Sequence, residues 1–225
     1  MTSMIMPGET LDVQATRLGP GLTRNNQEIV AVAAGLVQED NGSVWVESFA
    51  KRYVPNINEP VIGTIISKNQ DNYKVDIGCA HTATLPLLAF EGANRRNRPN
   101  VEVGGVVYCR LTVANKDMEP ELSCIAASGK AEGYGPLPGG FITKCTLDMA
   151  RSLMNPETPV FRAFEGVFSF ETAVGMNGLV WLKAETARQM ATLATLVQQA
   201  DRLPHSKLAA LVQFHKKEYS TVLLA

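Results

Sequence analysis

The sequence predicts a mainly β chain with an α+β C-terminal part, organised as three successive domains. Three observations carry this. Short strand-like runs separated by turn residues fill the chain as far as position 127. A glycine- and proline-rich stretch at 129–140, with Gly133, Gly135, Pro136, Pro138, Gly139 and Gly140, then interrupts it. Beyond that stretch the apolar period changes, and helical spacing appears among the strands. The predicted divisions are an N-terminal β-domain at 1–57, a barrel at 58–128 and a final domain at 129–225.

In the first domain, 28–37 is apolar with a break at Gly35. Asp40-Asn41-Gly42-Ser43 signals a hairpin into 44–47. Positions 55–60, bounded by prolines, read as a linker. The second domain offers strands at 61–67, 72–77, 82–88, 106–114 and 121–125. Five short strands in about 65 residues suggest a small Greek-key barrel of the OB type. Its longest loop, 90–102, holds Asn94-Arg95-Arg96-Asn97-Arg98-Pro99-Asn100, the densest basic cluster in the chain.

The third domain opens with a strand at 141–146. A helix at 147–154 follows, with Leu147, Ala150, Leu153 and Met154 on one face. A second short helix is expected at 160–163, then strands at 167–174 and 179–183. A long helix at 184–203 has Ala187, Met190, Leu193, Ala194 and Val197 as its apolar stripe, and Pro204 ends it. A last helix is expected at 205–219. The order β-α-α-β-β-α is that of a KH domain.

Composition narrows the function. The 225 residues are 45% hydrophobic and 19% charged, as in a globular protein, and the formal net charge is −1. No global positive charge advertises nucleic acid, so an RNA site has to be a local patch. Cys79, Cys109, Cys124 and Cys145 show no C-x-x-C spacing that would hold zinc, and they are too sparse for a disulfide scaffold. Each reads as a small buried hydrophobe, and a reducing compartment fits. Neither a signal peptide nor a bilayer-length apolar run is present, so a soluble intracellular protein without membrane contact is expected.

No enzyme signature is found: no P-loop, no G-x-G-x-x-G, no H-E-x-x-H. His81, His205 and His215 are scattered and read as surface or packing residues. No catalytic residue, cofactor or metal is expected. Asp117, Glu119 and Glu121 alternate, so an extended chain places all three carboxylates on one face. Such a face could hold a divalent ion, but Lys116 and Pro120 favour a solvated hairpin edge.

Gly175-Met176-Asn177-Gly178 has the G-x-x-G form of a KH phosphate clamp. That clamp joins the first two helices, and here their junction is Asn155-Pro156-Glu157-Thr158-Pro159. The Gly-Met-Asn-Gly element instead joins two strands, where Asn-Gly makes a tight hairpin. The loop of Arg95, Arg96 and Arg98 has three readings: a solvated loop, a phosphate-contacting arm, or a protein-docking arm. Trp45 and Trp181 lie on alternating strands and are expected to pack in the cores.

Several segments together resemble one family. They are Pro7-Gly8-Glu9, Leu18-Gly19-Pro20-Gly21, Lys51-Arg52-Tyr53-Val54-Pro55, Val61-Ile62-Gly63 and Phe90-Glu91-Gly92-Ala93. Asn97-Arg98-Pro99-Asn100, the run from Val113 to Glu121, Gly175-Met176-Asn177-Gly178 and Trp181-Leu182-Lys183-Ala184 complete the set. In this order they are similar to the ribosomal RNA-processing protein 40 family, the S1/KH cap subunits of the eukaryotic RNA exosome.

The resemblance implies an N-terminal β-domain, an S1-type OB barrel and a KH domain. It implies a non-catalytic, RNA-binding cap subunit in a hetero-oligomer. Three such caps sit on a six-membered ring of RNase-PH-like subunits and guide single-stranded 3′ ends toward a separate nuclease. The implied partners are ring subunits, other cap subunits and RNA, and the implied locations are nucleus, nucleolus and cytoplasm. It implies that Gly175, Met176, Asn177 and Gly178, with Trp181, form a structural contact between barrel and KH domain.

The expected RNA contacts are Arg95, Arg96 and Arg98, with Tyr73, Lys74 and Lys116 as the neighbouring candidates. Many S1 domains read Phe-Gly-Ala-Phe-Val-Asp-Leu-Gly where this chain reads Asp71-Asn72-Tyr73-Lys74-Val75-Asp76-Ile77-Gly78. Both aromatic slots are lost, at ~1–3 kcal/mol for each missing stacked base, so the chain alone should bind RNA only modestly. The alternatives are a free-standing S1/KH RNA-binding adaptor and a polynucleotide-phosphorylase-like nuclease. The latter needs RNase-PH-like domains, for which 225 residues leave no room, and carries its KH and S1 modules in the reverse order.

Overall fold

A computed structural model describes residues 3–13, 15–26, 28–48, 52–94, 97, 99–115, 117–155, 158–162, 164, 167–203 and 205–223. The chain divides into two compact units, 1–51 and 52–225.

The first unit is all β. Its short strands are β1 (Met4–Ile5), β2 (Thr10–Leu11), β3 (Arg17–Leu18) and β4 (Leu22–Asn25). Longer ones follow: β5 (Glu28–Ala31), β6 (Gly35–Asp40) and β7 (Ser43–Ser48). They form a four-stranded sheet in the order β1-β6-β7-β3 and a three-stranded sheet β2-β5-β4. The predicted hairpin joins β6 to β7, and Asn41 and Gly42 both take positive φ (47° and 74°), as a type I′ turn requires. Ile5, Leu22, Ile29, Ala31, Val37, Val44 and Val46 make the core. Trp45 is not part of it. Val44 and Val46 face inward, so the strand period turns Trp45 to the other face, where it is half-buried over Gly19.

The second unit begins with the barrel. Its strands are β8 (Pro60–Lys68), β9 (Asn72–Asp76), β10 (Ala83–Pro86), β11 (Val106–Val113) and β12 (Glu121–Ser123). They pair in the order β12-β10-β9-β8-β11, and β12 closes on β11. All neighbours are antiparallel except β10 and β12. In chain order this is 1-2-3-5-4-1, the closed topology of an OB barrel. A two-residue strand, β13 (Gly135–Pro136), adds to the outer side of β11.

Alternation fills the interior: Val61, Ile65, Tyr73, Val75, Leu85, Val107, Cys109, Leu111 and Leu122 are all buried. Gly63 sits where β8 and β9 meet, and a Cβ there would lie 2.3 Å from Val75 Cγ1. Of the four cysteines, Cys109 and Cys124 are the expected buried hydrophobes, whereas Cys79 and Cys145 are only half-buried.

The KH part contains β14 (Phe141–Lys144), α1 (Leu147–Met154), α2 (Pro159–Arg162), β15 (Phe170–Val174), β16 (Leu179–Ala184), α3 (Ala187–Ala200) and α4 (His205–Leu223). Its sheet runs β14-β16-β15, all antiparallel. Thr146 caps α1 by accepting from the Met149 N–H. Thr186 and Gln189 form a capping box at α3.

That box starts α3 three residues later than the apolar pattern suggests and sets its face. Gln189, Leu193, Ala194, Leu196, Val197 and Ala200 are buried, whereas Ala187 is exposed and Met190 half-buried. In α1 the buried face is Leu147, Met149, Ala150 and Leu153, and Met154 is exposed instead. The Asp201 carboxylate accepts from the Thr146 N–H and hydroxyl, tying the end of α3 to the start of α1.

Candidate nucleic-acid interface

Three features of the second unit bear on nucleic acid: the outer face of β9 and β10, the loop at 90–102, and the turn between β15 and β16.

On the outer face, Lys74 of β9 stands opposite Thr84 of β10. The Lys74 ammonium donates to Thr84 Oγ1 at 3.0 Å and pairs with Glu119 Oε2 at 2.5 Å. Thr84 Oγ1 also donates to that carboxylate oxygen at 3.2 Å. Lys74 therefore holds the Glu119 carboxyl below the usual carboxylate range, with help from Thr84. Both partners remain in contact with solvent, the side chains being 29% and 55% exposed. Of the acidic row at 117–121, Glu119 is thus an ion-pair partner. Among the described residues no group of three or more acidic, histidine or cysteine side chains could hold a metal ion.

Tyr73, expected among the RNA contacts, is corrected by the structure. Its exposed surface is 0%, because alternation on β9 turns it into the barrel, and a fully buried ring offers no face to a base. Its hydroxyl donates to the Pro99 carbonyl at 2.7 Å and accepts from the Val101 N–H at 3.2 Å. Phe90, at the start of the basic loop, meets the same ring edge-on at 6.3 Å. Lys68 lies 5.6 Å from the ring centroid and donates to Asn100 Oδ1 at 2.6 Å.

Tyr73 is therefore the foot of the 90–102 loop. Asn94 Oδ1 accepts from the Asn97 N–H at 2.7 Å. Arg95, Arg96, Arg98 and Lys116 lie outside the described residues.

The turn at 175–178 is bonded both within itself and to the barrel. Gly178 donates to the Gly175 carbonyl at 3.1 Å and takes φ +76°. Within this turn Gly178 alone has positive φ, which fits a type I turn with a glycine bulge rather than a two-residue hairpin. Met176 N–H donates to the Pro60 carbonyl at 2.8 Å. Asn177 Nδ2 donates to the carbonyls of Ile62 (2.7 Å) and Ile77 (2.9 Å), and Asn177 Oδ1 accepts from the Ile62 N–H at 3.3 Å.

The register explains this. The odd residues of β8 bond toward β11, and β9 joins β8 only from Thr64 onward. Pro60 and Ile62 are left with an open edge, and the turn occupies it. Ile62 points outward from the barrel yet is fully buried. Leu147 and Met176 add apolar contact against the barrel core. Trp181, on β16, is 3% exposed and donates from Nε1 to the Gly139 carbonyl at 2.8 Å. Its pairing partners are Ile142 and Ala173 within the KH sheet.

Sequence reasoning missed Glu119 as the partner of Lys74 and missed Lys68. Neither has a local signal, since the pairs span 45 and 32 residues.

Three families match the chain in order. Residues 16–52 match the family described as the N-terminal domain of exosome complex exonuclease Rrp40. Residues 53–135 match the S1 domain of exosome complex component RRP40, and residues 140–188 match a KH domain. The chain is 39% identical to exosome complex component rrp40 of Schizosaccharomyces pombe, over 89% of each chain. It is 36% identical to exosome complex component RRP40 of Drosophila melanogaster, over 89% of this chain and 90% of the other. With that of Homo sapiens it shares 38% identity over 82% of this chain and 70% of the other. A crystal structure assigned to an exosome complex RNA-binding protein superposes with a TM-score of 0.62 at 20% identity, covering 76% of this chain and 98% of that one, a likeness of fold.

Proposed function

Since the chain belongs to the Rrp40 family of exosome complex components, we propose that it is a non-catalytic, RNA-binding cap subunit of the RNA exosome. In this reading it contacts RNase-PH-like ring subunits and other cap subunits, and guides single-stranded RNA into the ring for 3′–5′ processing and degradation. Its working parts are the predicted domains at 1–57, 58–128 and 129–225. It acts in the nucleus, nucleolus and cytoplasm.

The observation that carries the reading is the collinear match of N-terminal, S1 and KH families along one chain. The junction supports it. A turn with the G-x-x-G form, which elsewhere could clamp phosphate, has its Met176 amide and its Asn177 side chain bonded to β8. The KH part then serves as a rigid extension of the barrel, and RNA contact falls to the barrel's basic loop and outer face. Arg95, Arg96 and Arg98 are the assigned phosphate contacts, with Lys74 and Lys116 beside them.

The test is purification of the tagged chain from native extract. Ring subunits and other caps should co-purify in fixed proportion. Recovery of the chain with RNA but without ring proteins would mean a free-standing adaptor instead.

A further inference from the structure

The outer face of β9 and β10 is the second and third strand of an OB barrel, the face on which such barrels take oligonucleotides. In this chain a carboxylate from the chain itself already lies there. Glu119 Oε2 meets the Lys74 ammonium at 2.5 Å and the Thr84 hydroxyl at 3.2 Å, while Lys74 and Thr84 also bond each other at 3.0 Å. An ammonium and a hydroxyl converging on one anionic oxygen is a donor set that suits a phosphate oxygen equally well.

We propose that Lys74 and Thr84 form a phosphate-binding pair for single-stranded RNA, and that Glu119 occupies this pair as an internal anion which RNA must displace. The inference rests on the RNA-binding reading above and deepens it.

Two observations favour an exchangeable contact over a fixed tie. Both charged side chains are partly solvent-exposed. Exposed ion pairs contribute little, so a polyanion can replace one partner without unfolding anything. Glu119 also sits in the connection between β11 and β12, outside either strand, so it can swing away while the barrel ladder stays closed. The consequence is selectivity by competition. A single phosphate gains little over the resident carboxylate, whereas a strand held at the same time by the basic loop outcompetes it.

The experiment uses the full chain and a short fluorescent oligouridylate, with affinity read by anisotropy at several salt concentrations. Glu119→Gln should bind more tightly, by up to about fivefold, which is ~1 kcal/mol at 1.4 kcal/mol per tenfold. Because RNA displaces Glu119 in the wild type, it is loss of Lys74 that should flatten the logarithmic salt dependence, by about 0.7, the single-strand value per phosphate. The gain should vanish in Lys74→Ala/Glu119→Gln. Asp117→Asn, with the same change of net charge, should leave affinity unchanged.

A Glu119→Gln affinity equal to or below wild type overturns the proposal. So does a gain that persists without Lys74, or one that Asp117→Asn reproduces. If no variant binds RNA the phosphate pair is also refuted, while the cap assignment stands or falls separately on co-purification with the ring.

Discussion

Asn177 grips Ile62 at both ends of one peptide edge, accepting from its N–H at 3.3 Å and donating to its carbonyl at 2.7 Å, across 115 residues of sequence. A third bond, from Nδ2 to the Ile77 carbonyl, uses up the amide's second donor. The side chain thus replaces the strand that β8 lacks at that end. Asn177→Ala loses all three bonds, and at a net ~0.5–1.5 kcal/mol for each it should cost roughly 2–4 kcal/mol. Asn177→Asp should be worse, because a carboxylate would face two carbonyl oxygens. Urea denaturation of the three proteins checks this order. Stabilities equal to wild type would mean that the clasp contributes nothing to the fold.

Trp181 is predicted to be structural. Trp181→Phe keeps most of the buried area but leaves the Gly139 carbonyl without its donor, and should cost about 1–2 kcal/mol. Trp181→Ala adds a cavity and should cost about 3–5 kcal/mol. Thermal melts of both variants provide the comparison, and equal melting temperatures for the two would contradict the packing described.

Tyr73→Phe should separate a foot from a stacking platform. The ring stays, and only the bonds to Pro99 and Val101 are lost, so stability should fall by about 1 kcal/mol. Unchanged stability together with a tenfold loss of RNA affinity would show that bases reach this ring after all.

Replacing Arg95, Arg96 and Arg98 together by alanine should weaken RNA capture across all sequences. Each lost phosphate contact should reduce the salt slope of the assembled complex by about 0.7–0.9. Normal RNA capture with failed ring assembly would make the loop a protein-docking arm. No change in either would make it a solvated loop.

Much of this fold was legible in the sequence. The five barrel strands, the Asn41-Gly42 hairpin and the helix at 147–154 were, because each carries its own period or turn chemistry. β1 to β4 and β13 were not. They are two to four residues long, too short to show alternation, and exist through pairing with distant segments, as β3 does with β7. The α3 stripe was rotated because the Thr186–Gln189 box, rather than the apolar run, sets where the helix starts.

For the site, a hairpin at 175–178 followed from its position between strands, but its target on β8 is a matter of register that no local spacing encodes. Tyr73 shows the converse. A one-residue shift from the usual aromatic slot moves a ring from the outer face into the core.

In the proposed function this chain carries RNA without cutting it, as part of a complex that does cut. The direct measurement follows one labelled single-stranded RNA, with magnesium and phosphate, on the isolated chain and on the complex purified through it. A non-catalytic cap leaves the RNA intact when the chain is alone, and the complex shortens it 3′–5′. Degradation by the chain alone would contradict this.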